Sequence, residues 1–96
     1  MVKLTVIEIQ QQLTNIQGWK YSKESIEKTF EFKNFKEAFA MMTRIAFECE
    51  AQGHHPDWNN VYKTVHIKLN THDVGGVTEK DFDLAKAIEK LVDDCK

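Results

Sequence analysis

Proline occurs once in this sequence, at position 56, and glycine only four times. No linker, internal repeat, low-complexity run or Gly-rich phosphate loop interrupts the chain, so residues 1–96 read as one domain. Cysteine is limited to Cys49 and Cys95, and no Cys-x-x-Cys pair exists. Each falls on what reads as the apolar face of a helix, which favours packed thiols in a reducing compartment over a disulfide. No apolar run approaches the roughly 20 residues of a membrane span, and the N-terminus has no signal-peptide h-region. A cytosolic, or also nuclear, protein is expected. Charge of one sign is lacking too: the formal net charge is −2, which leaves no electrostatic footprint for nucleic acid or a membrane. A chain of this size buries only about 60–70% of its unfolded surface. Stability then has little to spare, and association with further copies is the expectation.

The chain that remains is mostly amphipathic pattern. Thr5-Val6-Ile7-Glu8 has the form of a capping box, and Val6, Ile9, Leu13 and Ile16 follow at helical spacing, predicting a first helix over about 5–16. Gly18 stands where a left-handed stop is expected. Two strands follow, 18–21 and 25–33, joined by a polar turn. In the second, Ile26, Phe30 and Phe32 share one parity while Glu27, Thr29 and Glu31 share the other. Lys28 breaks the apolar parity, which a sheet edge or an amine reaching solvent would accommodate. Asn34 with Glu37 opens a second helix to about Gln52, with Phe35, Ala38, Phe39, Met42, Ile45, Ala46 and Cys49 as its stripe. A hairpin pattern covers 58–62 and 65–71, with Val65, Ile67 and Leu69 facing the core. Its turn, near Lys63-Thr64, lacks Asn-Gly or Asp-Gly chemistry. Thr78 caps a third helix striped by Phe82, Ala85, Ile88, Val92 and Cys95. The order is αββαββα. The fold class is α+β: a four-stranded antiparallel sheet with the helices packed on one face.

The chemistry concentrates in EAQGHHPDWNNVYKTVHIKLNTH, residues 50–72, which holds all four histidines and the proline. Glu50 and His54 are four apart at a helix end, so the carboxylate can fix the imidazole tautomer and raise its basicity; a bland surface pair has the same spacing. His55 is pushed into extended conformation by Pro56. A helix-to-strand turn would let both rings line one pocket, and a solvated loop would also produce them. His72 ends the last strand, a plausible pocket wall, and His66 reads as structural, on a sheet face that another subunit could meet. Trp19 and Trp58 suit a core or an interface, though an aromatic beside histidines also suits a flat heterocycle. Zinc is not expected, because no His-Glu-x-x-His motif occurs and adjacent histidines chelate one ion awkwardly. A Cys-His nucleophile is disfavoured while both thiols read as core.

Glu50-x-x-x-His54-His55-Pro56-x-Trp58, followed by Asn60-Val61-Tyr62, His66, Thr71-His72 and Asp81, resembles the pterin-4a-carbinolamine dehydratase family. The resemblance also takes in Gly18-Trp19, the Phe35–Arg44 segment and the stretch from Gly76 to Leu84. It implies an αββαββα fold and dimers that often pair into tetramers. It further implies dehydration, without any cofactor or metal, of 4a-hydroxytetrahydrobiopterin-type carbinolamines to quinonoid dihydropterin, a step in recycling a tetrahydropterin. Animal members also serve as dimerisation cofactors of a homeodomain transcription factor, so a non-catalytic partner protein is the alternative. Carried over by position, the catalytic histidines are His54, His55 and His72, supported by Glu50. Trp19, Asn70, Thr71 and Asp81 fall at substrate-binding or supporting positions. Asn59 stands where animal relatives have an aromatic, Asn70 where they often have Ser or Thr, and Lys63-Thr64 replaces their turn residues. On this reading Glu50 orients His54 as a base, His72 assists departure of the hydroxyl, and His55 holds or protonates the substrate.

Overall fold

The computed structural model describes residues 2–95. Its elements are α1 (Val6–Leu13), β1 (Lys20–Ser22), β2 (Ser25–Glu31), α2 (Phe35–Gln52), β3 (Asp57–Val61), β4 (Thr64–Leu69), a 3-10 turn (His72–Val74) and α3 (Glu79–Asp94). The strands form one antiparallel sheet in the order β1-β2-β4-β3. The expected αββαββα order and fold class therefore hold.

Local chemistry sets the boundaries. Thr5 and Glu8 complete the capping box of α1: the Thr5 hydroxyl accepts from Glu8 N–H and the Glu8 carboxylate from Thr5 N–H. The helix stops at Leu13, earlier than the expected Ile16, because the chain tightens into i→i−3 bonds from Thr14, Asn15 and Ile16. Val6 is exposed, so the buried side of this segment begins at Ile9. Gly18 has φ +83°, a backbone that favours glycine, and a Cβ there would stand 2.9 Å from Lys28 Cε, so the lysine side chain would have to shift. Two hairpin turns are built without it. Lys23 and Glu24 both have positive φ (49° and 63°), the sign pattern of a type I′ turn. Between β3 and β4, Tyr62 takes φ +51°, and the Asn60 amide donates to Tyr62 O at 3.0 Å and Thr64 O at 2.9 Å. That side chain ties down a turn whose own residues carry no turn signal.

One sheet face packs on the helices. Ile26, Phe30, Val65, Ile67 and Leu69 meet Ala38, Met41, Ile45 and Cys49 of α2 and Phe82, Leu84, Ala85 and Ile88 of α3 in one core. The predicted stripe of α2 splits here. Its line through Ala38, Ile45 and Cys49 is covered, but Phe35 and Phe39 are 45% and 55% exposed, with their rings 5.6 Å apart, and Phe47 is exposed as well. One layer of sheet and one neighbouring helix cover a single side of α2, and the stripe is wider than that side. Cys95, expected in the core, is exposed at the C-terminal end of α3.

β1 reaches along β2 only as far as Glu27, so Lys28 stands where β2 pairs with β4 alone, but its amine does not run to solvent. Instead Nζ donates to Gln17 O and pairs with Glu89 Oε2, both at 2.8 Å, above the Phe30 ring. Glu89 Oε2 also accepts from Trp19 Nε1 at 3.1 Å. On the open sheet face His66 lies across from Thr29, with Nδ1 2.8 Å from its hydroxyl and Nε2 3.5 Å from Glu27.

Candidate active site

The end of α2, the start of α3 and the segment after β4 meet at one end of the sheet. Gly53 takes φ +66° and closes α2 with two bonds: Gly53 N–H to Glu50 O at 3.3 Å and His54 N–H to Cys49 O at 3.1 Å. This pair is a Schellman motif. It takes His54 out of the helical register, so His54 does not stack on Glu50. The expected Glu50–His54 couple is absent. His54 is buried, and its Nε2 lies 2.5 Å from Asp81 Oδ1. Glu50 instead meets His55, Nε2 to Oε2 at 2.6 Å, and both of those side chains are well exposed.

Asp81 is fully buried and stands at the third position of α3. Its Oδ2 accepts from Thr78 N–H at 2.9 Å, closing that helix's capping box, and from the Thr71 hydroxyl at 3.0 Å. The Thr78 hydroxyl lies 2.8 Å from Thr71 Oγ1 and accepts from Lys80 N–H. With Thr71 donating to the acid, Thr78 donates to Thr71, and every proton in the chain has a place. An ionised carboxylate only accepts. Against such an acceptor a neutral His54 ring carries its proton on Nε2 and keeps a lone pair on Nδ1. Asp81, expected from sequence at a substrate-binding or supporting position, has no exposed surface, and its carboxylate meets the His54 ring.

His54, His55 and His72 line one cleft of about 240 Å³, together with Gly53, Asn70, Thr71, Asp73 and Lys80. Asn70 and Thr71, expected at substrate-binding positions, border this cleft. β4 ends at Leu69, so His72 opens the 3-10 turn rather than ending the strand. That turn is fastened by Thr71–Gly76 backbone bonds and by Gly75 at φ +64°. Trp19 is elsewhere. It is buried against Phe30, with ring centroids 6.1 Å apart, and bonds Glu89, so it does not line the cleft. Lys80 and Asp73 were not singled out from sequence. Lys80 is an isolated lysine on a first helical turn, and only the packing of α3 brings it here.

Burial pushes the Cys49 thiol up to about 11, which keeps it protonated and unreactive at neutral pH. Among the described residues no group of three His, Cys, Asp or Glu side chains is placed to hold a metal ion. No helix among them is long and apolar enough to cross a membrane. What the cleft offers is three imidazoles, two of them backed by carboxylates, with an ammonium at the rim.

Residues 2–91 match the profile of the Pterin 4 alpha carbinolamine dehydratase family. The chain belongs to that family. A relative from Christiangramia forsetii, named as a candidate pterin-4-alpha-carbinolamine dehydratase, is 59% identical over 93 residues, covering 97% of this chain and 96% of its own. A second, so named in Opitutus terrae, is 49% identical over 89 residues, covering 92% of each chain. Among solved structures, the transcriptional coactivator/pterin dehydratase of Brucella melitensis superposes with a TM-score of 0.91 at 36% identity, covering 94% of this chain and 98% of its own. Family membership thus agrees with the motif of Glu50 to Asp81 on which the resemblance rested.

Proposed function

We propose that this dehydratase-family chain removes water from a 4a-hydroxytetrahydropterin to give the quinonoid dihydropterin, by general acid–base catalysis. The observation that supports it is the convergence of His54, His55 and His72 on one cleft beside Asn70 and Thr71. The reaction breaks the bond from ring carbon 4a to its hydroxyl. The departing oxygen takes a proton, and the neighbouring ring nitrogen gives one up, so protons balance with no redox change. An imidazole with its ordinary pKa near 6.5 serves either transfer at neutral pH.

Our division of roles follows the hydrogen bonds. His54, held through Nε2 by Asp81, offers Nδ1 as the base. Asp81 stabilises the imidazolium as it forms. The His72 imidazole has no hydrogen-bonding partner among the described residues, so it is free to protonate the leaving hydroxyl. His55, anchored to Glu50, holds the substrate or relays the proton. General acid–base catalysis of this kind supplies about 10²–10⁴-fold.

The test is to supply a 4a-carbinolamine generated by an aromatic amino-acid hydroxylase and follow the ultraviolet signal of quinonoid dihydropterin. His54→Ala and His72→Ala should each lower the rate about 10²-fold or more with circular dichroism unchanged. Near-normal rates in both would end the assignment. The uncovered Phe35, Phe39 and Phe47 of α2 support self-association into a dimer or tetramer, which light scattering checks. The same face would serve the second reading, a partner protein without catalysis; that reading requires the dehydration assay to be silent.

A further inference from the structure

Next to the histidine cleft lies a smaller pocket of about 100 Å³, lined by Lys23, Ser25, Asp57, Lys68, Asn70 and His72. Asn70 and His72 border both cavities, so the two are neighbours across one wall. The topology explains the company. The β1–β2 turn, the first residue of β3 and the last residues of β4 all lie at the same sheet end, with Ile26 paired to Leu69 and Asp57 to Lys68.

Two features of this pocket have no structural account. The Ser25 hydroxyl is buried and has no hydrogen-bond partner. Buried hydroxyls are nearly always satisfied, and an orphaned one calls for a missing ligand or water. In addition, the amines of Lys23 and Lys68 enter no ion pair among the described residues, although Asp57 lies in the same pocket. The lining therefore carries a net positive charge, two lysines against one aspartate. At about 100 Å³ the space suits a small polar group and excludes a second ring.

We infer that this pocket is a specificity subsite for an oxyanion, a phosphate ester or a carboxylate, on the side chain of the pterin whose ring occupies the histidine cleft. The inference rests on the dehydratase reading above. Lys23 and Lys68 supply the attraction, the Asn70 amide supplies a hydrogen bond, and Asp57 tempers the field so that the product can leave. A pterin with an uncharged short substituent would use the cleft but forgo these contacts.

Three tetrahydropterins that differ only at ring carbon 6 test it: one with methyl, one with a phosphorylated hydroxymethyl group, one with a carboxylate-bearing chain. Each is converted to its 4a-carbinolamine, and kcat/KM is measured. At least one anionic substrate should exceed the methyl compound about tenfold at low salt, as one charge-assisted contact at a partly exposed site would give. The advantage should shrink with added salt, and the better of the two anionic arms identifies the oxyanion. Lys23→Gln combined with Lys68→Gln should bring the ratio close to one, with circular dichroism unchanged. Equal use of all three substrates, or a ratio that survives the double variant, overturns the subsite while leaving the dehydratase reading intact. Turnover of none of them, the methyl compound included, removes that reading and the subsite with it.

Discussion

Asp81→Asn is the substitution that most directly tests how this cleft is held. The carboxylate receives three donors: His54 Nε2 at 2.5 Å, Thr78 N–H at 2.9 Å and the Thr71 hydroxyl at 3.0 Å. Asparagine keeps the shape but replaces one acceptor oxygen with an NH2 group. If that group faces Thr71 and Thr78, two donors meet a donor and the capping box opens. If it faces His54, the ring must turn over its tautomer, and Nδ1 loses the lone pair that the proposed base step needs. Hydrogen bonds to a charged acceptor are worth about 1.5–3 kcal/mol, and stripping one partner from a buried pair about 3–5 kcal/mol. Because the amide oxygen preserves one side, the loss should be about 2–4 kcal/mol. In a domain of this size that is a fall in Tm of about 10–20 °C. The rate should fall about 10²-fold through kcat, with KM little changed, because Asp81 touches His54 and not the substrate. Thermal unfolding by circular dichroism and the dehydration assay at 25 °C read the two effects. A Tm within about 2 °C of the wild type, or an unaltered kcat, would refute the reasoning.

Glu50→Ala provides the contrast, since its bond to His55 is made between exposed groups. Stability should change by less than about 0.5 kcal/mol in urea unfolding, and the rate loss should be smaller than for Asp81→Asn. The opposite ranking would mean that the wrong acid has been given the positioning role. Gly18→Ala should cost about 1–2 kcal/mol, because the left-handed backbone and the Lys28 methylenes both resist a Cβ; denaturant midpoints measure it. The buried Cys49 thiol makes a pH prediction. Its pKa rises from an ordinary 9.0 to about 11, chiefly by desolvation. The unfolded thiol therefore ionises first, and the associated stability is full below about pH 9 and lost as pH climbs through about 11, in total about 2–3 kcal/mol. Comparing wild type with Cys49→Ala across that window isolates the effect, and a constant difference between the two would contradict it.

The sequence displayed this fold well wherever a local rule and the packing agreed. Thr5, Asn34 and Thr78 announced their helices because a cap is a matter of three or four neighbouring residues. The alternation of Val65, Ile67 and Leu69 survived because β4 is an interior strand with one covered face. Local rules failed where the chain changed direction or a distant element intervened. Glu50 and His54 satisfy i, i+4 spacing, but Gly53 ends the helix between them and hands Glu50 to His55. The partner His54 takes lies 27 residues on, at a distance no periodicity reports. Trp19 carried a family position yet went to the core, where Glu89 satisfies its indole N–H. Lys28 looked misplaced in an apolar row because its counter-charge, Glu89, comes from the last helix. The α2 stripe was wider than its covered side, since a hydrophobic pattern records what must leave water without saying which neighbour will cover it.

Asp81 punctuates the beginning of α3 with Oδ2 and anchors the buried imidazole with Oδ1 of the same carboxylate. Fraying of that first helical turn and disarming of His54 are consequently one event, without an intermediate in which a frayed protein still turns over. Mild heating or denaturant should extinguish catalysis in step with the loss of α3's N-terminal amide protection, and ahead of global melting. The protein carries its own fuse.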